Sequence, residues 1–302
     1  MRKIKIIITY IFAIAALFIT VIKPDKLVNQ PLDTNKDNII IYVLKNEELI
    51  PITLKHSLSN SIEDNIKSTF ELMKQGIDSN GFKSVVPKSL QLLNVNIENE
   101  NVNLDFNEAI YTINSKYELR MIEAIVNSIL QFNDNYKVNF LVNSQLIENM
   151  PLSKRNMNTF DKRLGINNFD LEYYDLYSTD SKSVVKTIEE EYTYHVIYTL
   201  RISNQIDLME FINSYLVDSN LLYCEEIEYI NDVLVMNVNE NFLFDENTID
   251  QNKIMNILYS LKLNGYSDKF MLKVNDEIKT IQGYFSNVIE INDLYLNTFE
   301  QK

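Results

Sequence analysis

Sliding the 302-residue chain against itself by 132 positions brings one stretch onto another without a gap. Asn107-Glu108 falls on Asn239-Glu240, and Val142-Asn143 falls on Val274-Asn275. Ile122, Ile125 and Ser128 fall on Ile254, Ile257 and Ser260. Identities are few, but the apolar pattern carries over, and a shared pattern is what a shared fold requires. The chain is therefore expected to use one small unit twice.

Each copy reads alike. Val95 and Ile97, then Val102, Leu104 and Phe106, alternate at period two around Asn99-Glu100, as a hairpin with one buried face does. In the second copy Ile227 and Tyr229 face Leu234, Met236 and Val238 around Asn231-Asp232. A helix follows in each: Leu119, Ile122, Ile125, Val126 and Ile129, mirrored by Ile254, Ile257, Leu258 and Leu261. Short strands close the copies at Val138–Val142 and Phe270–Val274. Upstream, 39–44 and 49–54 read as a hairpin, and Ile62, Ile66, Phe70 and Met73 as a helix face. The second copy has residues 192–202, then Leu208, Ile212, Tyr215 and Leu216.

The fold class is thus α+β: two tandem β(β)αββαβ two-layer sandwiches, each with both helices on one face of a sheet. The expected divisions are an anchor at 1–26, a linker at 27–37, a first unit at 38–168, a connection at 169–191 and a second unit at 192–302. The first copy carries an extra loop from Gly76 to Ser89. The stretch 144–191 is long for a bare loop and is expected to hold a packed arm.

Residues 6–22 contain no charge and follow Arg2, Lys3 and Lys5. As a helix they span ~26 Å, just under the ~30 Å of a bilayer's hydrocarbon core, and Lys5 and Lys23 can snorkel. A small-x-small cleavage site is missing at the end of the run, so an uncleaved transmembrane anchor is expected over a cleaved signal peptide. The net charge is −14, and residues 1–26 set five basic side chains against Asp25, so their +4 leaves −18 on the body. A body that acidic repels phosphate backbones, which argues against nucleic acid as a partner. A cytoplasmic N-terminus with an extracytoplasmic body is the expected orientation.

Cys224 is the single cysteine, which excludes an intramolecular disulfide and any multi-cysteine zinc site; a buried, inert thiol is expected. His56 and His195 occupy different slots in the two copies and are expected to be satisfied side chains. Asp33-x-Asn35-x-Asp37-Asn38 begins like a calcium loop, but Leu44 stands where the bidentate glutamate belongs. Five glycines in no phosphate-loop spacing cannot build one. Glu189-Glu190-Glu191 and Glu225-Glu226 read as solvated runs, and Asn107-Glu108 as a strand-to-helix turn with local side-chain bonds. The abundant asparagines are assigned no function. No catalytic, cofactor or metal residues are expected.

Several segments resemble the GerM domain of bacterial sporulation and spore-germination proteins. Ile41-Tyr42-Val43 with Leu49-Ile50-Pro51-Ile52 looks like its opening strands. Leu72–Gly76, then Val86-Pro87-Lys88-Ser89-Leu90, is similar to its helix–glycine and Ile-Pro-x-x-Thr segments. Val102–Phe106, Ala124–Val142 and Leu164-Gly165-Ile166-Asn167 fit its hairpin, second helix, last strand and Leu-Gly-Ile-Asn sequence. The resemblance implies a non-enzymatic, extracytoplasmic assembly or scaffold protein at the cell membrane. It also implies envelope or sporulation proteins as partners, and oligomers through a fold similar to ring-building motifs. The alternative is a cell-wall module that binds peptidoglycan or glycan through some of the 18 tyrosines. Neither the Gly76–Ser89 loop nor the connection is needed to complete a sheet. Phe82, Val85, Tyr173, Tyr174 and Tyr177 are therefore the expected interaction residues.

Overall fold

The computed structural model describes residues 38–77, 81–157, 159–161, 165–168, 181–217, 219–290 and 294–299. The expected anchor at 1–26 and its linker lie outside the described residues. Among the described residues, no helix is long and apolar enough to cross a membrane.

The first unit opens on a hairpin of β1 (Asn38–Lys45) and β2 (Glu48–Lys55), with Asn46 and Glu47 at φ 51° and 72° in the tight turn. Helix α1 (Ile62–Gln75) starts where the Ser61 hydroxyl accepts from Asp64 N–H. It ends at Gly76, whose φ is 68° and where a Cβ would stand 3.1 Å from the Ser84 nitrogen. Its buried face is Ile66, Phe70 and Met73, the predicted stripe without Ile62, which is half-buried. A short β3 (Lys83–Ser84) returns to pair with β1. Next come β4 (Leu92–Glu98), β5 (Asn101–Phe106), helix α2 (Ser115–Leu130), β6 (Lys137–Val142) and β7 (Gln145–Leu146). Helix α2 is the crossover that lets β5 and β6 run parallel.

The second unit repeats this plan with β8 (Lys182–Glu189), β9 (Thr193–Leu200), the short α3 (Leu208–Phe211) continued by a π-turn, β10 (Cys224–Ile230) and β11 (Val233–Val238). It closes with β12 (Thr248–Ile249), α4 (Gln251–Leu263), β13 (Lys269–Val274), β14 (Glu277–Ile281), β15 (Val288–Glu290) and β16 (Thr298–Phe299). The 132-residue displacement holds down to irregularities. The β4–β5 bulge at Leu92/Asn94 recurs at Cys224/Glu226, and the parallel pair Leu104↔Phe140 recurs as Met236↔Leu272. Turns at Asn99-Glu100 and Asn143-Ser144 recur at Asn231-Asp232 and Asn275-Asp276, all at positive φ. Asparagine tolerates that region better than most residues, which explains its place in every one of these turns. Asn107, between β5 and the next helix, bonds Gln91 N–H and the Ser89 carbonyl; Asn239 does the same to Tyr223 and Leu221.

Two expectations need correction. The opening hairpin is a sheet of its own, separate from the β4–β5–β6–β7 ladder, so a unit is not one sheet under two helices. Helix α2 is consequently enclosed. Arg120 through Leu130 are all buried, where a helix on an open sheet face would expose half its surface. The second unit also begins at Lys182, not Tyr192, because β8 pairs with β9 over its whole length. Lys186 and the closing glutamates had made that strand read as a connection. In the arm of the first unit, Ile147, Met150, Met157 and Ile166 lie in the core; Phe169 and Leu171 lie outside the described residues.

Ile122 and Ile254, and Ile125 and Ile257, sit at equivalent sites, each at most 1% exposed. Replacing Ile125 by alanine is expected to cost about 2–5 kcal/mol through the cavity it leaves, read as a lower urea midpoint with an unchanged slope.

Candidate functional site: the seam between the two units

Strands β2 and β9 face each other across the boundary between the units, and the side chains of two asparagines lie between them. Asn167, at the end of the first unit's arm, accepts from Leu49 N–H at 2.7 Å. Its amide donates to the Leu49 and Ile197 carbonyls at 2.8 and 2.9 Å. Asn297, near the end of the second unit, accepts from His195 N–H at 2.7 Å. It donates to the His195 and Pro51 carbonyls at 2.7 and 2.8 Å. Each asparagine thus grips both backbone groups of one residue in its own unit and a carbonyl of the other. The pattern has a pseudo-twofold axis. Both are at most 1% exposed and have φ near 50°, which turns the side chain into the gap in place of a backbone strand.

Two threonines extend the symmetry. Thr53 on β2 donates its hydroxyl to Leu296 O and its N–H to Asn297 O. Thr199 on β9 accepts from Ile166 N–H through its hydroxyl and donates its N–H to Ile166 O. The second unit's β16 then adds to the first unit's sheet, parallel to β2 at Thr53 and Leu54. The rim is charged and aromatic. Lys45 Nζ lies 2.8 Å from Glu190, 4.5 Å from the Tyr194 ring centre and 5.4 Å from that of Phe82. Phe82 meets Tyr194 edge-on at 6.0 Å, and the Tyr198 hydroxyl donates to Glu48 at 2.6 Å. The hydrogen bond to Lys45 holds the Glu190 carboxyl below the usual range. Burial, then the nearby Glu190 and Glu48, pushes the Tyr194 hydroxyl up to about 12. The seam is a closed contact, and its chemistry is adhesion.

The expected interaction residues divide accordingly. Phe82 and Val85 are buried, at 6% and 3% exposure, so the Gly76–Ser89 loop does not display them: they belong to the core, and Phe82 serves the seam. Ile77 and Val86 are buried with them. The reason is that β3 ties the loop to β1 and turns its apolar residues inward. Tyr173, Tyr174 and Tyr177 lie outside the described residues. Glu190 is exposed, as are Glu225 and Glu226 on the edge strand β10, but it also pairs with Lys45 at the rim.

The remaining candidates have structural partners. Cys224 is buried, and desolvation raises its thiol to about 12, far from the thiolate a nucleophile requires. His56 bonds the Ser68 hydroxyl at 2.7 Å. His195 Nδ1 lies 3.1 Å from Thr187 Oγ1 and 3.2 Å from Asn256 Oδ1, with its ring 5.2 Å from that of Tyr259. Burial pushes its pKa down to about 4. A depressed histidine stabilises the fold above its unfolded pKa of about 6.5, and that stability is lost as pH falls towards 4, on the order of 3 kcal/mol in all. Stability at pH 7 and 4.5, measured by urea unfolding, is expected to differ less in His195→Gln than in the parent. Among the described residues, no group of three or more His, Cys, Asp or Glu side chains is placed to hold a metal ion.

Sequence reading missed the seam, although a signal was present. Leu164-Gly165-Ile166-Asn167-Asn168-Phe169 recurs as Leu294-Tyr295-Leu296-Asn297-Thr298-Phe299, displaced by 130 rather than 132. A two-residue deletion in the second copy hid it from an ungapped comparison.

Two α+β units of one plan, joined by a pseudosymmetric seam, define a tandem-domain protein. The family model described as "Germane: Sporulation and spore germination" matches residues 40–148, all within the first unit. The fold of the whole is that of the tandem GerMN domains of the sporulation protein GerM from Bacillus subtilis. The two share 20% identity and a TM-score of 0.70, over 86% of this chain and 98% of that one. The first GerMN domain of the same protein, solved separately, is 19% identical over 42% of this chain and 96% of that one, with a TM-score of 0.36. No curated protein matches.

Proposed function

We propose that this protein is a non-enzymatic scaffold of the sporulation or spore-germination envelope, held at the membrane by residues 1–26 with its two units outside the cytoplasm. The observation that carries this reading is the seam. Two GerM-type units are held at one fixed orientation by the amides of Asn167 and Asn297, so surfaces on both reach a partner at a set spacing. A hinge would serve an enzyme that closes on a substrate; a rigid pair serves assembly. The family description and the tandem fold support the sporulation-related setting. In sporulating cells, crosslinking of the full chain is expected to capture envelope proteins, and seam variants are expected to lose that capture while still reaching the membrane. Intact capture by a variant whose units have come apart would sink the scaffold reading. Mass analysis of the membrane-extracted protein is expected to show Met1 or Arg2 retained.

The cell-wall alternative draws on exposed tyrosines. Tyr117, Tyr223 and Tyr229 are 40–57% exposed and offer flat faces to a glycan. Sedimentation of the soluble fragment with purified peptidoglycan decides between the two, with no pelleting expected of a scaffold.

A further inference from the structure

Strand β10 ends the second unit's ladder, and no described strand pairs with its outer side. The two-residue turn at Asn231-Asp232 makes Ile230 and Val233 a hydrogen-bonded pair. By alternation, the backbone N–H and C=O of Tyr229 and Ile227 then point away from β11. At the start of the strand, beyond the bulge, the Asn213 amide stands in for a next strand. Its oxygen accepts from Cys224 N–H at 2.7 Å, and its nitrogen donates to Cys224 O at 3.0 Å. The edge thus takes strand-like bonds at Cys224 and leaves Ile227 and Tyr229 open.

The side chains of this edge depart from those of its counterpart. By the 132-residue displacement, Glu225, Glu226, Glu228 and Tyr229 stand where β4 has Leu93, Asn94, Asn96 and Ile97. Glu228 pairs with Lys273 at 3.0 Å, whereas Glu225 and Glu226 are exposed and have no ion pair among the described residues. An aromatic row lies beside the edge. Phe211 is 6.2 Å from Tyr215 and 6.1 Å from Tyr266 between ring centres, and the Tyr229 hydroxyl donates to Tyr266 O at 2.9 Å. Tyr215 and Tyr229 are 42% and 57% exposed. Lys182 Nζ lies 4.9 Å from the Tyr266 ring centre and 5.5 Å from that of Phe211, so the row already seats one cation. Glutamates on an edge ordinarily deter strand pairing. These deter acidic strands, other copies of this acidic chain included, and attract basic ones.

We propose that β10 is a docking edge for an extended basic segment of a protein partner, which adds as a strand alongside Ile227 and Tyr229. Glu226 and Glu228 share one face of β10, so lysine or arginine at every second position of the incoming strand meets them. The intervening side chains meet Tyr229 on the other face. The proposal rests on the scaffold reading in taking a protein as the partner, and it adds that partner's chemistry.

Fluorescence anisotropy with the full chain in detergent micelles tests the edge. The probes are a labelled peptide of about eight residues alternating lysine and valine, its glutamate–valine counterpart, and a lysine–glycine peptide of equal charge and poor strand propensity. The lysine–valine peptide is expected to bind at least about tenfold more tightly than either control and to slow hydrogen exchange at Ile227 and Tyr229. Replacing Glu225 and Glu226 together by glutamine is expected to weaken it about three- to tenfold. Tyr229→Pro removes an outward N–H without breaking the ladder and is expected to abolish the slowed exchange at Ile227. Absence of binding, or equal binding of the lysine–valine and lysine–glycine peptides, overturns the proposal. So does exchange at Ile227 and Tyr229 that the peptide leaves unchanged, or that is already slow in the free protein because another segment of this chain covers the edge. These outcomes leave the seam untouched, so the rigid pair stands or falls separately on variants of Asn167 and Asn297.

Discussion

Replacing Asn297 by alanine is expected to split a single urea transition into two, with the seam lost before either core. The substitution removes three hydrogen bonds in a closed contact, those to His195 N–H, His195 O and Pro51 O. Each stranded buried group costs about 1–3 kcal/mol, and partial rehydration recovers some of it, so the net loss is on the order of 3–5 kcal/mol. By the pseudosymmetry Asn167→Ala should cost a similar amount. Asn297→Asp should be worse, because a buried carboxylate would face two carbonyl oxygens and lose both donors. Chevron or equilibrium urea curves followed by hydrogen exchange of each unit would resolve the two steps. One unchanged transition in both alanine variants, displaced by under about 1 kcal/mol, would mean that the units are held by other contacts.

Phe82→Ala is expected to lower stability by about 3–5 kcal/mol, the usual result for an aromatic removed from a core. Part of the loss falls on the first unit, where Phe82 is 6% exposed, and part on the seam, where its ring meets Tyr194 and lies under Lys45. Deleting residues 77–85 should therefore unfold the first unit rather than spare it, since Ile77, Phe82 and Val85 leave together. Differential scanning calorimetry separates the two views. A Phe82→Ala protein as stable as its parent but deficient in partner capture would restore the picture of an exposed binding loop.

The elements set by local pattern were legible in the sequence. The ladder hairpins, the two long helices and the positive-φ turns all follow from period-two and helical spacing and from asparagine at tight turns, and the 132-residue register carried them from one unit to the other. Strand β8 was not legible, because its run into Glu189-Glu190-Glu191 looks like a solvated connection until Lys45 supplies the partner. The seam was hidden for a stronger reason. Its bonds join residues 30 to 246 apart in sequence through side-chain amides, and such contacts leave no periodicity behind. Asparagine abundance, set aside as composition, is where they were written. Gln131 and Asn264 do the same elsewhere, each holding both backbone groups of one residue on an opening strand, Ile40 or Ser183.

The crossing of β16 into the first unit's sheet has a consequence for the order of events during synthesis. A ribosome delivers β1 and β2 early, yet the carbonyl of Pro51 and the N–H of Thr53 meet their partners only when Asn297 emerges, nearly 250 residues later. Until then the first unit carries an open edge in a chain already long enough to collapse, the condition under which neighbouring nascent chains pair wrongly. Completion of the first unit and arrival of the last strand are thus a single kinetic event. A stalled or prematurely released chain is expected to be handed to proteases rather than to persist as a half-sized working module.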